Sequence, residues 1–296
     1  MAKVGVAGPA AAKGTRSRIN YLGELLGLTV SYALLSAGTI IVFVPFLWMI
    51  STSLKEEGQI FLFPPVWIPH PVRWQNYLDV SQQFPFFVAV LNSAKISVLS
   101  VFGVLLSSSL AAFAFARLRF RGKNIWFPIF LATLMIPAPV TLIPVFLLMR
   151  TIGWVNTLYP LIIPNFFGNA FGMFLLRQFF LTIPRDLDDA AKIDGASPPL
   201  IFARIYLPLA KPALATLAVF VFLATWNDLI GPAIYLSSMD KITVTLGLSF
   251  LSSQYGGTLW GPLMAGSIIS LLPVLIVFIF AQQYFVQGLA LSGIKG

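Results

Sequence analysis

Residues 183–214 read IPRDLDDAAKIDGASPPLIFARIYLPLAKPAL. This is the one long stretch of the sequence that is polar and helical in pattern, and strongly apolar runs flank it on both sides. Because charged side chains are costly inside a membrane, a charged segment between apolar runs is expected to lie outside the lipid. The pattern predicts an exposed element carried by a membrane-embedded body, and we call residues 183–212 the polar loop.

The polar loop is predicted to contain two short helices joined by a bend. Asp186 is expected at the N-cap of the first helix, with Asp189 three residues later as in a capping box. Gly195 follows the last turn of that helix, where the chain commonly takes a positive φ. Pro198 and Pro199 are expected to open the second helix and Pro208 to end it.

The first helix of the polar loop carries a surface of small side chains. Ala190 and Ala191 present nothing larger than a methyl group, so another protein can approach this side of the helix closely. This composition favours a docking element over a catalytic loop.

The polar loop resembles the EAA loop of permeases from ATP-binding-cassette (ABC) importers. The matching residues within the loop are Asp189, Ala190, Ala191, Asp194, Gly195, Ala196, Phe202, Ile205, Leu207 and Pro208. The matching segments outside it are Met135-Ile136-Pro137, Ile143-Pro144, Asn156-Thr157, residues 174–180 and Trp226-Asn227-Asp228. The resemblance covers roughly Leu28 to Gly296 and is to the carbohydrate-uptake branch, on the side of the maltose-type smaller permease. Asp189 stands where the family usually has Glu, and Pro198-Pro199 replaces more common helix formers.

The resemblance implies a transport subunit of the bacterial or archaeal cytoplasmic membrane that binds no cofactor itself. Its partners would be a second homologous permease, a dimer of ABC ATPase subunits and an extracytoplasmic solute-binding protein, with ATP and Mg²⁺ bound by the ATPase. The residues implied to dock on the ATPase are Asp186, Asp189, Ala190, Ala191, Asp194, Gly195, Ala196 and Phe202. Closure of the ATPases would push on this loop and tilt the spans, so that a path opens alternately to each side.

The composition is that of an integral membrane protein. Of the 296 residues, 58% are hydrophobic and 10% are charged, and the mean hydropathy is +0.87. The sequence has no cysteine, which excludes disulfides and cysteine metal sites. The net charge of +9 comes from basic residues dispersed beside apolar segments, a pattern that indicates contact with membrane lipid rather than nucleic acid.

Six apolar stretches are long enough to cross the hydrocarbon of a membrane, which takes about 20 helical residues. They lie near residues 27–51, 93–116, 125–149, 158–181, 213–235 and 262–285. The predicted fold is therefore an all-α bundle of six transmembrane helices, with the polar loop between the fourth and the fifth. Residues 1–24 are predicted to form a flexible cytoplasmic tail, and residues 25–296 a single membrane domain.

The distribution of lysine and arginine predicts the orientation in the membrane. With the N-terminus inside, 14 of the 19 basic residues fall on the cytoplasmic side. Those on the outer side are Lys55, Arg73, Lys95, Arg150 and Lys241. Because basic residues accumulate in cytoplasmic loops, this predicts that both termini and the polar loop are cytoplasmic.

Polar residues within the predicted spans are candidates for the walls of a translocation path. Asn165 and Asn169 are four residues apart and are expected to share one face of a helix. Asn227 and Asp228 follow Trp226 late in the fifth span, and a carboxylate at a helix centre costs on the order of 3 kcal/mol on insertion scales. The alternative for these residues is hydrogen bonding within the bundle or contact with water on the outer side.

Further predictions concern one short aromatic segment and a few individual residues. Residues 84–87 are expected to lie along the membrane interface, and Lys95 to extend its ammonium group to the outer surface. Arg177 and Gln178 are expected to support the polar loop. His70 is the sole histidine, so it is expected to be an interfacial residue rather than a metal ligand.

Several functional classes are disfavoured by what the sequence lacks. It contains no G-x-x-x-x-G-K-[ST] pattern, so any use of ATP must come from a partner. An ion-coupled transporter would need ionisable groups deep in several spans, whereas Asp228 is nearly alone there. An intramembrane enzyme would need a nucleophile with a base, or paired carboxylates. The spans carry no cation cluster for a phosphate, which favours a neutral sugar or oligosaccharide as cargo and leaves glycerol phosphate or a peptide as the alternative.

Overall fold

The computed structural model describes residues 12–252 and 257–292, with side chains described for residues 25–252 and 257–284. Regular secondary structure in those residues is helical. The helices up to the polar loop are α1 (Ala12–Ser53), α2 (Glu57–Ile60), α3 (Asn76–Gln83), α4 (Phe86–Arg117), α5 (Lys123–Ala132), α6 (Ala138–Thr151), α7 (Tyr159–Ile162) and α8 (Ala170–Thr182). Those within and after it are α9 (Asp186–Ile193), α10 (Pro198–Ile201), α11 (Leu207–Leu209), α12 (Lys211–Trp226), α13 (Ile230–Tyr235), α14 (Val244–Ser252) and α15 (Trp260–Ser292). Short 3₁₀ segments lie at Thr133–Met135 and Ile163–Phe166, and a π-helical segment at Phe202–Tyr206.

Helix α4 is at the centre of the bundle, with its most extensive contacts to α8 and α12. Its buried face repeats every three or four residues and consists mostly of small side chains, which allow neighbouring helices to approach closely. The residues of this face are Ser93, Ser97, Ser100, Val104, Ser108, Ala112 and Ala116. Gly103, beside them, lies so close to the Phe166 ring that a Cβ atom would be 2.6 Å from it.

Among the residues that the structure describes, four helical segments are long and apolar enough to cross a membrane: Leu25–Ser53, Phe86–Arg117, Tyr159–Thr182 and Trp260–Tyr284. The third predicted span, residues 125–149, is sharply bent, because this region forms two helices, Lys123–Met135 and Ala138–Thr151, that meet at 99°. Pro137 follows Ile136, whose ψ of 114° is extended, as expected for a residue that precedes proline. The count reaches six spans if each bent pair of helices crosses once.

The predicted fifth span, residues 213–235, is also interrupted. Helix α12 ends at Trp226, and α13 is a separate short helix. At its other end, α12 meets the segment Pro198–Leu209 at 77°. Asn227 and Asp228 therefore lie in a break after a helix and not within a continuous span.

The first helix begins earlier than the first predicted span. Helix α1 starts at Ala12, so the second half of the predicted tail, residues 1–24, is helical. Alanine, lysine and arginine in this segment are strong helix formers, which accounts for the difference. Residues 1–11 lie outside the described part of the chain.

The connection between α1 and α4 folds onto the end of the bundle. Asn76 Nδ2 donates to the main-chain carbonyls of Ser53 and Lys55, at 2.9 and 2.8 Å. The Lys55 ammonium is buried 3.7 Å from the centre of the Trp48 ring, and this burial lowers the pKa of Lys55. The side chain of His70 is exposed.

The aromatic stretch at residues 84–87 is divided between the core and the surface. Phe84 and Phe86 are buried, so these two rings pack within the protein and do not face lipid headgroups. Gly247 makes room for the Phe84 ring, because a Cβ atom there would be 2.2 Å from it. Phe87 is exposed, as is Lys95 in the third turn of α4.

Candidate functional site

The first helix of the polar loop, α9, begins without a side-chain cap. Its N-cap position is Arg185 and not Asp186, and Arg185 already has helical φ and ψ of −71° and −22°. A capping side chain needs an extended N-cap residue, so the predicted capping box does not form. Asp189 instead pairs with Lys192 at 3.0 Å. The carboxylates of the first turn still lie near the positive end of the helix.

The bend after α9 forms as predicted. Gly195 has a φ of +79°. Ala196 N donates to Ala191 O at 2.8 Å, and Gly195 N donates to Lys192 O at 3.0 Å, the bonding pattern of a Schellman motif. No atom lies within 4 Å of the point where a Cβ atom on Gly195 would stand. Glycine is therefore favoured here by backbone conformation and not by lack of space.

The residues predicted to dock divide into an outer and an inner group. Asp186, Asp189, Ala190, Asp194 and Gly195 are exposed. Ala191 and Ala196 are half-buried against the core of the chain itself. Phe202 is buried, with its ring centre 5.3 Å from that of Phe113, so it holds the loop in place and does not contribute to the outer surface.

Ile193 is an exposed apolar residue that the sequence reasoning missed. It lies at the end of α9, and 87% of its surface is exposed. Its neighbours Lys192 and Asp194 are charged. An isoleucine between two charged residues, in a helix with a polar outer side, is the sequence pattern that could have indicated an exposed apolar residue here. With Ala190 it makes an apolar spot on the outer side of the polar loop.

The second helical part of the loop continues past the predicted end at Pro208. It consists of α10, the π-helical segment and α11, and the bend comes after Leu209. Leu207 N donates to Phe202 O, five residues back. Because Pro208 has no N–H to donate, a wider turn immediately before it is compatible with the helix continuing.

The inner side of the polar loop is anchored by a buried cluster that the sequence reasoning also missed. Asp188 Oδ1 accepts a hydrogen bond from the Tyr206 hydroxyl at 2.5 Å. The Arg117 guanidinium Nε lies 3.9 Å from Asp188 Oδ2. Arg117 Nη2 also donates to the main-chain carbonyls of Phe180, at 2.6 Å, and Ile183. Arg117, Asp188 and Tyr206 are called the anchor cluster below.

Arg177, predicted to support the polar loop, contacts other elements instead. Its Nε donates to Phe115 O at 3.2 Å, and its guanidinium lies 4.1 Å from the centre of the Phe127 ring. It therefore joins α8 to α4 and α5, and Gln178 beside it is exposed. Arg117 has the supporting role because it ends α4 next to the last carbonyls of α8.

The two asparagines of the fourth predicted span do not share one helical face. The helix is broken at Gly168, which has a φ of +138°. Asn165 lies before the break and donates from Nδ2 to Ser100 Oγ and Leu161 O, both at 3.0 Å. Asn169 is the N-cap of α8, and its Oδ1 accepts from Gly172 N at 2.7 Å.

The remaining candidate path residues lie where α12 ends. Trp226 is buried, and its Nε1 donates to Ser270 O at 3.2 Å. Asn227 is exposed, and its Nδ2 donates to Leu223 O at 2.9 Å. Asp228 Oδ1 accepts from Gly231 N at 3.1 Å, so the carboxylate is stabilised by the backbone at the start of α13.

A cleft of about 380 Å³ lies beside Trp226 and Asn227. It is formed where α12, α14 and α15 meet, and it combines an aromatic ring, an amide and hydroxyl groups with an apolar wall. Its lining residues are Trp226, Asn227, Thr245, Leu248, Ser267, Ser270, Leu271 and Val274. The five predicted path residues are thus not brought together, because Asn165, Asn169 and Asp228 do not line this cleft.

Comparison with known proteins gives a consistent result. The sequence pattern described as "Binding-protein-dependent transport system inner membrane component" matches residues 103–290. The chain is 36% identical over 247 residues to the arabinooligosaccharides transport system permease protein AraQ of Halalkalibacterium halodurans, which covers 83% of this chain and 86% of that protein. It is 32% identical over 266 residues to the sn-glycerol-3-phosphate transport system permease protein UgpE of Pectobacterium atrosepticum, covering 88% and 94%.

A solved structure has the same overall fold. It is one chain of a bacterial ABC transporter involved in the import of the acidic polysaccharide alginate. The TM-score is 0.75 and the sequence identity 26%, over 88% of this chain and 97% of that chain.

Proposed function

This chain belongs to the family of inner membrane components of binding-protein-dependent transport systems, and from this membership we propose that it imports a sugar or oligosaccharide. In this proposal it is a permease subunit of an ABC importer. It forms a translocation path together with a second, homologous permease. A dimer of ABC ATPases binds ATP with Mg²⁺ and drives the cycle, and a solute-binding protein delivers the cargo from outside.

The observation that carries the proposal is the division of the polar loop into an outer and an inner side. The outer side presents Ala190, Ile193 and Gly195 to solvent, which suits contact with another protein. The inner side is tied to the ends of α4 and α8. An ATPase bound to the outer side would be connected directly to the helices of the bundle.

The orientation in this proposal places the polar loop and both termini in the cytoplasm. Support comes from the basic residues near the loop end of the bundle, since such residues accumulate on the cytoplasmic side. They include Arg117, Arg119, Arg121, Lys123, Arg185 and Lys192.

The nature of the cargo is supported by the cleft and by the relatives. A neutral sugar presents hydroxyl groups and apolar ring faces, which suit the serines, the amide and the aromatic ring of the cleft. AraQ is named for arabinooligosaccharides, which supports a carbohydrate cargo, and the alginate importer for an acidic polysaccharide. UgpE is named for sn-glycerol-3-phosphate, which makes that compound the second candidate, although no lysine or arginine lines the cleft.

The docking role is tested by placing a charge on the apolar spot. Ile193→Asp should weaken binding of the ATPase by about 2 kcal/mol, or roughly 30-fold in the dissociation constant, because the contact loses the burial of an isoleucine. Ile193→Leu keeps an apolar side chain and is the matched control. The measurement is titration of the purified ATPase onto the permease pair in lipid nanodiscs.

Binding of the Ile193→Asp variant as tight as wild type would show that this surface does not dock. Ala190 is a suitable second position because it is exposed, whereas a large side chain at the half-buried Ala191 would disturb the core of the permease itself. Ala190→Trp is expected to weaken binding in the same assay.

A further inference from the structure

The anchor cluster connects four elements at one point. Arg117 is the last residue of α4. Its hydrogen bonds reach carbonyls at the end of α8, where main-chain carbonyls have no partner within the helix and a cation is favourable. Asp188 belongs to the first turn of α9, and Tyr206 to the π-helical segment that leads towards α12.

The cluster is largely buried, although Arg117 and Asp188 lie beside a cleft of about 450 Å³ that is lined mainly by charged residues. Only 4% of the Arg117 side chain and 11% of the Asp188 side chain are exposed, and Tyr206 is completely buried. The centre of the Tyr206 ring lies 5.1 Å from that of Phe113 and 5.3 Å from that of Phe180. Because a buried charge that loses its partner is strongly disfavoured, these three residues are expected to move together.

The remaining contacts of α9 with the bundle are of a different kind. Ala191 and Ala196 touch the core through methyl groups, and methyl contacts resist sliding less than directional hydrogen bonds do. The exposed ion pair between Asp189 and Lys192 stays within α9. Among the charged side chains of α9 that the structure describes, Asp188 is therefore the one bonded to the rest of the bundle.

The geometry points to a role for the anchor cluster beyond holding the fold. We infer that Arg117, Asp188 and Tyr206 are positioning residues that transmit movement of the docked polar loop to α4, α8 and α12. This inference rests on the proposed docking of an ATPase on the outer side of the loop. A push on α9 would act through Asp188 on Arg117, and so on the ends of α4 and α8, and through Tyr206 on the segment before α12.

The length of the Arg117–Asp188 contact is compatible with an anchor cluster whose internal distances change during the transport cycle. The Tyr206–Asp188 hydrogen bond is short, at 2.5 Å, whereas the Arg117–Asp188 distance is 3.9 Å. Arg117 Nε has no hydrogen-bond partner among the described residues. The ion pair is thus about 1 Å longer than a charge-assisted hydrogen bond, which leaves room for it to tighten when α9 is pushed towards the bundle.

The test separates coupling from assembly. Tyr206→Phe keeps the buried ring and removes only the hydroxyl, and Asp188→Asn keeps the shape and removes the charge. Both are made in the full importer, reconstituted in vesicles with its ATPase and solute-binding protein. Solute transported per ATP hydrolysed is expected to fall roughly ten-fold or more in Tyr206→Phe, the factor given by the loss of one hydrogen bond to a charged group, with normal retention of the ATPase. Tyr159→Phe, at an exposed tyrosine, is the matched control and should couple normally.

A double variant shows whether the residues act as a unit. Asp188→Asn and Tyr206→Phe share one hydrogen bond, so the loss of coupling in the double variant should be smaller than the product of the two separate losses. If Asp188→Asn does not accumulate in the membrane, the ratio of solute transported to ATP hydrolysed in Tyr206→Phe is sufficient to test the inference.

The outcomes distinguish the inference from the proposal on which it rests. If the wild-type chain does not retain an ATPase, the proposed function and this inference both fall. If the ATPase is retained and Tyr206→Phe couples like wild type, or no worse than Tyr159→Phe, the anchor cluster is structural only and the inference alone is overturned.

Discussion

Asn156 holds two distant loops of the bundle together with a single side chain. Its Oδ1 accepts from the main-chain N–H groups of Ser237 and Ser238, both at 3.1 Å, and its Nδ2 donates to Ser238 Oγ at 2.6 Å. Its carbonyl accepts from Lys241 Nζ at 2.9 Å. The φ of Asn156 is +59°, a conformation that asparagine adopts more readily than most residues. The connection after α6 is thereby fixed to the segment after α13.

Replacing Asn156 with alanine should therefore lower stability without touching a helix. The loss of these side-chain bonds, which leaves N–H groups without their acceptor, is expected to cost about 1–3 kcal/mol. The measurement is the midpoint of thermal unfolding in detergent. Asn124→Ala, at an exposed position, is the control and should unfold like wild type; an equal change in both variants would contradict this role for Asn156.

Individual residues with a specific backbone or bonding role differ in how far that role can be predicted from the sequence. Gly195 was found because a glycine directly after a polar helix is a local signal of positive φ. Asn156 matched the family pattern, but its role in joining two loops was not predicted, because its partners lie 81 to 85 residues further along the chain. The capping role of Asp186 was wrong because it depends on the backbone of Arg185, which is helical rather than extended.

Among the elements, α8 shows best how close packing shapes the bundle. Its Gly172 faces α4 and α12, and a Cβ atom there would stand 2.7 Å from Ser108 Oγ and 2.9 Å from Leu217 Cδ2. Hydropathy predicted that a span exists here, because the summed apolar content of a segment is a strong signal. It did not locate the break at Gly168, because a sum over a window is insensitive to one residue that changes the backbone.

Enlarging Gly172 should separate α8 from its neighbours. Gly172→Leu is expected to destabilise the protein by about 1–3 kcal/mol through overpacking, measured as the temperature at which half of the detergent-solubilised protein is lost on heating. Gly38→Leu in α1 is the matched control, since no atom lies within 4 Å of its Cβ position. Adding Leu217→Ala should restore part of the loss in Gly172→Leu, and no restoration would argue against a direct clash.

At the scale of the whole molecule, the residues that line the cleft were harder to predict than the polar loop. The polar loop is continuous in sequence, so its composition identified it. The cleft beside Trp226 needs α12, α14 and α15 together, and Thr245, Ser267 and Ser270 gave no signal as single polar residues in apolar helices. Asn165 and Asn169 were reasonable candidates, but their amides bond to the bundle itself. Long-range packing decides which polar residues meet.

The side of the membrane on which the polar loop lies depends on whether the first bent helix pair, residues 123–151, crosses the membrane. If it crosses, Thr151 lies outside, while Arg121 and Asp194 lie in the cytoplasm. If it turns back within the membrane, Thr151 is cytoplasmic and Asp194 is outside. The basic residues favour the first arrangement, because it keeps the polar loop on the same side as Arg121.

Because the sequence contains no cysteine, the side of the membrane on which each position lies can be measured with single-cysteine variants. Arg121, Thr151 and Asp194 are exposed, so each can be replaced in turn by a single cysteine. A maleimide that cannot pass the membrane should label Thr151→Cys in intact cells, and should label Arg121→Cys and Asp194→Cys only after the membrane is opened. Glu56→Cys, after the first span, is the control that must react in intact cells in either arrangement. Labelling of Asp194→Cys from outside would mean that the first bent pair does not cross, and the polar loop could then not meet a cytoplasmic ATPase.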